Sequence, residues 1–259
     1  MITSLFLFSI VICSNLIIGV LLGMSGISGF LLPLIYVGFL DMPVHDSLAL
    51  SFLSFAVSGI IGAFSYWQSK NMDVKLAILL SLGSLPGAFL GVQINVLIPD
   101  IIAKLLLYLF VLLAGLSILL KKNNETTKQN RSMILNNSLI VILLGFITAI
   151  ICALTGAGGP ILLVPLLVSL GINIRTAVGV SLFNSVIIAI PSIFGYFSHA
   201  NMETTASMLI IASLLGTIIG IITGTRLANK VPIHHLKMMI AIITILSSAY
   251  MLVMLTVGA

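Results

Sequence analysis

Residues 23–30 read GMSGISGF: three glycines and two serines inside a run that otherwise has the composition of a membrane helix. In hydrocarbon, irregular backbone is tolerated only where protein buries it or where it lines a polar cavity, because bare N–H and C=O groups cannot be hydrated there. A second stretch, TGAGGP at residues 155–160, repeats the pattern. Both stretches predict a helix broken at membrane depth, inside the protein.

The composition around them fits a membrane chain. Of 259 residues, 60% are hydrophobic and 7% charged, with a mean hydropathy of +1.30. A soluble domain carries about 25% charged residues, and so few charges cannot cover a water-facing surface. The net charge of +5 could suggest nucleic acid. The positive residues lie between apolar segments, however, where they set orientation, and nucleic acid is not an expected partner. The opening MITSLFLFSI has no Lys or Arg before its apolar run, so it reads as a retained membrane segment rather than a cleaved signal. Cys13 and Cys152 lie in apolar segments without a CxxC or Cys/His cluster and read as small buried hydrophobes.

A spanning helix needs about 20 apolar residues. Apolar segments run over 2–22, 46–67, 75–95, 101–120, 134–154, 176–197, 204–225 and 236–257, with two short ones over 30–40 and 160–171. With the N-terminus outside and all ten threaded as crossings or half-crossings, ten of the eleven Lys and Arg fall on the inner side. Only Lys104 falls outside, while Asp41, Asp46, Asp100 and Glu203 lie mostly opposite the positives. The positive-inside rule then places both termini outside a plasma or inner membrane. Whether the short segments cross or re-enter is left open by parity and charge.

The two halves repeat. At an offset of 130, Gly26-Ile27-Ser28-Gly29 aligns with Gly156-Ala157-Gly158-Gly159, Ser51 with Ser181, and Tyr66 with Tyr196. The same offset aligns Asn71-Met72-Asp73 with Asn201-Met202-Glu203. At 133, Gly83, Gly87 and Gly91 align with Gly216, Gly220 and Gly224, and Pro99 with Pro232. The prolines Pro33 and Pro165 are displaced by two residues from the first offset. Residues 1–121 form the first repeat, 122–133 a polar cytoplasmic linker, and 134–259 the second. Each repeat holds five segments, an odd number, so the second must be inverted. The expected fold is all-α and polytopic, with eight full-length helices and two short broken or re-entrant ones. Inverted repeats are the architecture of many secondary transporters.

The breaks suggest chemistry as well. A helix N-terminus carries unpaired N–H groups and a positive dipole end, which together favour an anion. Two such ends, facing each other across the pseudo-symmetry, would bind an oxyanion without a buried cation. No Asp, Glu, Lys or Arg lies near the centre of any segment, whereas a cation carrier usually keeps a membrane carboxylate. The candidate substrate-binding residues are Ser25, Gly26, Ser28, Gly29, Thr155, Gly156, Gly158 and Gly159 on the breaks. Ser51, Ser181 and Asn184 join them from the following helices, where Ser54 and Ser185 also lie. The stripes Gly83–Gly87–Gly91 and Gly216–Gly220–Gly224 read instead as close packing. His45 and Asp46 read as solvated loop residues, Tyr66 and Trp67 as an interfacial belt. Arg175, in the position corresponding to His45, reads as an orientation signal or an attractor of anions.

The ordered set GISGFLLP and GAGGPILLVP, then SLALSFL and AVGVSLF, then Tyr-x4-Asn-Met-acid and a glycine-spaced helix, resembles the TauE/SafE family of sulfite and organosulfonate exporters, the TSUP permeases. The resemblance runs over about residues 5–255. It implies a secondary transporter of small sulfur-containing anions, without ATP hydrolysis, cofactor or metal. Ser28 departs from the family pattern, standing where a glycine is expected. The partners implied are a small anionic substrate and the lipid bilayer, with a homo-oligomer left open. A passive anion channel and a carrier of another small organic anion are the alternatives. An enzyme lacks support, since there is no HExxH, GxxxxGK[ST] or Cys/His pair.

Overall fold

Long apolar segments with few charges fold as helices because only a helix satisfies every backbone group within its own segment. The structure, a computed structural model, describes residues 2–26, 28–120, 132–200, 206–227 and 233–257. Ile27, the Asn201-Met202-Glu203 motif and the linker up to residue 131 lie outside the described residues. The helices are α1 (Ile2–Ser25), α2 (Ser28–Phe39), α3 (Val44–Gln68), α4 (Val74–Leu97), α5 (Asp100–Leu120), α6 (Ser138–Thr155), α7 (Gly159–Ser169), α8 (Ile174–Phe197), α9 (Ala206–Leu227) and α10 (Ile233–Val257). No strand occurs among the described residues. Eight of these helices are long and apolar enough to cross a membrane, and α2 and α7 are the two short ones. The ends agree with the sequence expectation to within a few residues.

Local chemistry sets several of the starts. The side chains of Asp73, Asn137 and Asn173 accept hydrogen bonds from the N–H groups of Leu76, Leu139 and Arg175, capping α4, α6 and α8. Pro86 and Pro191 lie inside α4 and α8, which continue through them.

The most extensive helix pairings are α4 with α6 and α1 with α9, followed by α3 with α8. Glycines make the first two possible. A methyl group added at Gly83, Gly87 or Gly91 would strike the carbonyl oxygens of Ile142, Phe146 and Ile150 on α6. One added at Gly216, Gly220 or Gly224 would strike those of Ile12, Leu16 and Val20 on α1. Each contact maps onto its counterpart by the same offsets, 130 and 133, that relate the two halves of the sequence. The symmetry axis also reverses direction. The equivalent helices α3 and α8 run antiparallel, since His45 and Phe52 meet Tyr196 while Gly62 meets Leu182 and Tyr66 meets Gly179. The repeats are therefore inverted, and they are braided: α4 packs in the second half's cluster with α6 and α8, and α9 with α1 and α3.

A buried polar knot ties the second of these clusters together. Asn15 Nδ2 donates to Val11 O and to the hydroxyl of Tyr36 on α2. Its Oδ1 accepts from Ser54 on α3 at 2.9 Å and from Thr217 on α9 at 3.0 Å. Ser213 bonds Ser54 at 3.0 Å.

The outer rows of α5 and α10 present Leu105, Leu109, Leu113, Ile243, Leu246 and Val253 to the surroundings, as lipid contact requires. Cys152 is buried, but Cys13 is exposed in an open apolar groove between α1 and α2, contrary to its expected burial. A helix ringed by lipid keeps apolar residues on both faces, so hydrophobicity does not reveal which one is inside. Lys70, Lys75, Arg175 and Arg226 sit at one end of the bundle. Lys104, at the other, is neutralised by Asp41 at 3.6 Å.

Gly87→Leu and Gly220→Leu each place a side chain against backbone that cannot retreat, and each should cost about 3 kcal/mol or more, the upper range for overpacking. Yield of monodisperse protein from membranes should fall for both, while Leu113→Ala, on a lipid-facing surface, should leave it unchanged.

Candidate functional site

The two glycine-rich breaks meet midway along α3. Gly26 and Gly156 occupy the same place in their repeats and have the same left-handed backbone, at φ 72° and 71°. Their contacts are also equivalent: Gly26 packs against Val178 on α8, Gly156 against Leu48 on α3. After that the breaks diverge. Gly158 adopts φ 74° and caps a regular eleven-residue helix, α7. Ser28 stands in its place in the first repeat and begins a 3₁₀ turn instead. That turn passes into a short α turn and then a π turn over Ile35–Phe39. Positive φ is costly for a residue with a Cβ, which accounts for the difference.

Both short helices begin without a side-chain cap, but only α7 begins as a regular α-helix. No side chain caps α7. Of its leading N–H groups, Pro160 removes one, leaving those of Gly158, Gly159 and Ile161 outside the helical ladder.

A small enclosed cavity of about 10 Å³, room for a single water, lies at this helix end. Gly29, Gly158, Ala157 and Pro160 line it from the breaks, Phe55 and Ser58 from α3, Leu182 and Ser185 from α8, and Leu22 from α1. No charged side chain reaches it. Gly159 abuts α8 so closely that an added methyl would stand 2.9 Å from Ser185 Oγ and 3.4 Å from Ser181 O.

The predicted residues divide into groups. Gly29 and Gly158 line the cavity, and Gly159 packs at its edge on Ser185. Gly26 and Gly156 shape the turns. Ser25, Ser51 and Thr155 donate to the carbonyls of Leu21, Ser47 and Ile151, each at 2.7 Å, within their own helices. Ser28 donates to Ile18 O at 3.4 Å. Ser181 Oγ and both polar atoms of Asn184 are fully buried with no hydrogen-bond partner among the described residues. Ser58 was missed because it aligns with Ile188 and so carries no repeat signal. It does lie one and two turns beyond Ser54 and Ser51, on the same helix.

Asn184 is instructive beside Asn15. Under the repeat, Asn184 corresponds to Ser54, and Asn15 to Gly145. The amide has moved from the first helix of the repeat to the third. In the first repeat it is saturated by Tyr36, Ser54 and Thr217. In the second, the counterpart of Tyr36 in the register that pairs Pro33 with Pro165 is Val168, which offers no hydroxyl. An unsatisfied buried amide costs about 1–3 kcal/mol.

His45 and Asp46 are not loop residues. Asp46 is buried, and the His45 ring stacks on Tyr196 at 6.1 Å and faces His199 at 6.2 Å. The antiparallel pairing of α3 with α8 brings these rings together. Tyr66, in the last turns of α3, packs on Gly179 of α8. Trp67 is exposed and Arg175 lies at the surface.

A family model described as Sulfite exporter TauE/SafE matches residues 11–251. The chain is similar to the probable membrane transporter protein YdhB of Bacillus subtilis (strain 168), with 24% identity over 235 residues, 88% of this chain and 93% of that protein. It is also similar to the probable membrane transporter protein YjnA of the same organism, with 24% identity over 253 residues, 92% of this chain and 96% of that one. No solved structure matches significantly.

The two buried amides should respond oppositely to removal. Asn15→Leu removes the shared partner of the Tyr36, Ser54 and Thr217 hydroxyls and should destabilise the protein by about 2–3 kcal/mol. Asn184→Leu removes an orphan and should be neutral or stabilising. Thermal unfolding in detergent compares them directly.

Proposed function

The chain belongs to the sulfite exporter TauE/SafE family, and from that premise we propose that it is a secondary transporter exporting a small oxyanion such as sulfite or an organosulfonate. The observation that carries this reading is the uncapped N-terminus of α7 opening on an enclosed cavity edged by the hydroxyls of Ser58 and Ser185. Neutral donors suit an anion that must be released as well as bound. Backbone N–H groups at the α7 end can donate to an oxyanion without a titrating charge, and the hydroxyls of Ser58 and Ser185, which donate to Phe55 O at 3.3 Å and Ser181 O at 2.9 Å, can do so by rotating away from those carbonyls. A buried Arg would hold the anion more tightly and slow its departure.

Expelling a negative charge from a cell with a negative interior is favoured by about 2.3 kcal/mol per 100 mV, so export needs no coupled ion. The loop charges favour a plasma or inner membrane with both termini outside and Arg175 facing the cytoplasm, where it attracts anions. The repeats 1–121 and 134–259, with the linker 122–133 between them, are units of sequence rather than of motion. The bodies that rock during alternating access are the braided clusters, α1, α3 and α9 against α4, α6 and α8. They share the α3–α8 contact beside the cavity. The inverted repeat favours this carrier reading over a passive channel.

Proteoliposome flux tests the reading. Sulfite or a small sulfonate should move saturably, faster with an imposed potential, and chloride should barely move. Gly158→Leu combines a strained positive φ with a collision against Phe55. It should reduce flux at least about tenfold, equivalent to about 1.4 kcal/mol at the rate-limiting step. Normal flux in that variant would remove the α7 terminus from the site.

A further inference from the structure

The cavity is not symmetric, although the repeats that form it are. Gly29 and Gly159 are equivalent positions, and so are Phe55 and Ser185. A methyl group at Gly159 would stand 2.9 Å from Ser185 Oγ, and one at Gly29 would stand 3.0 Å from Cε1 of Phe55. The contact is the same, but a hydroxyl has been replaced by a phenyl ring. The ring is long enough to cross the pseudo-dyad. Its opposite edge, at Cε2, lies 3.2 Å from where a methyl on Gly158 would be. Phe55 is thus wedged between the two breaks, with a glycine on either side making room for it.

The ring is held from behind. Phe52 meets it edge-to-face at 5.5 Å and 86°. Phe52 in turn stacks on Tyr196 at 5.8 Å and 11°. The Tyr196 hydroxyl donates to Ala153 O at 2.7 Å, just before the second break. The counterparts of Phe52 and Phe55 in the second repeat are Leu182 and Ser185, so the aromatic wall exists on one side only.

Resting on the oxyanion reading above, we propose that Phe55 is the specificity-determining residue of the site: it occupies the place of a second anion locus and restricts the transporter to oxyanions with a single charged head. One head binds at the α7 end, beside Ser58 and Ser185, in a conformation that widens the single-water cavity. Anything further along meets the Phe55 ring, Leu22 and Leu182, none of which can donate a hydrogen bond. A second charged group placed there would be desolvated without compensation. A short apolar tail would be accepted.

The test compares methanesulfonate with ethane-1,2-disulfonate, which share a head group and differ in number of heads. Flux of each is measured in proteoliposomes containing wild type, Phe55→Ser, Phe55→Thr or Phe55→Leu. Wild type should carry methanesulfonate and largely exclude the disulfonate. Restoring a hydroxyl in Phe55→Ser should raise the disulfonate-to-monosulfonate ratio about tenfold, the effect of one hydrogen bond to a charged group. Phe55→Thr presents the same hydroxyl on a more apolar side chain and should shift the ratio in the same direction. Phe55→Leu adds space without a donor and should leave it within about twofold of wild type, so that size alone is separated from hydrogen bonding. Thermal stabilisation of the purified proteins by each anion reads the same ratio without flux. Equal wild-type transport of both anions, or an unchanged ratio in both hydroxyl variants, overturns the role of Phe55 and leaves the transporter reading intact. Absence of wild-type flux for every sulfonate and for sulfite overturns both.

Discussion

Backbone meets backbone along two seams of this protein, where carbonyl oxygens of α1 and α6 lie against the glycines of α9 and α4. Lipid offers no hydrophobic drive for helix association, so close packing of small residues supplies much of it. The rest of the architecture follows from these seams. They draw α4 out of its own half and into the other, and α9 likewise, so neither half encloses a core by itself. They leave α3 and α8 as the central antiparallel pair. They also fix the heights at which the two broken helices meet, beside Phe55.

Duplication supplied two copies of the break, and the two have diverged in backbone geometry. In the second copy, Gly158 permits a regular helix to begin at the cavity. In the first, Ser28 does not, and α2 starts as a 3₁₀ turn packed beneath the Asn15 knot. Each missing element is matched by a change opposite. Phe55 fills the space that Ser185 leaves open in the other repeat, and the amide of Asn15 is saturated where that of Asn184 is not.

The electrostatic character is equally one-sided. Fixed cations gather at the end carrying Arg175, whereas the equivalent place at the other end holds His45, stacked on Tyr196. Among the described residues, the polar groups midway along the helices are neutral. A substrate passing through would exchange water for dipoles rather than for a counter-ion, which limits how tightly any intermediate position can trap it.

Composition, segment length and the 130- and 133-residue offsets were enough to establish from sequence alone an all-α membrane protein of ten segments, inverted repeats, and glycine stripes used for packing. These properties follow from hydrocarbon itself, which dictates helix length and forbids bare backbone, and from parity, which is arithmetic. The positions of the breaks were legible for the same reason. Which residues share the cavity was not. Ser58 had no partner in the repeat, Phe55 looked like one more apolar residue, and Cys13 looked buried, because in a chain apolar on every face, hydrophobicity stops marking the inside. His45 and Asp46 looked like loop residues until α8 was laid antiparallel across them. Only the tertiary structure decided the braiding of the halves, the inequivalence of the breaks and the ring between them. Each of these depends on which helix lies against which, and contacts between segments more than a hundred residues apart leave no period in the sequence to be read.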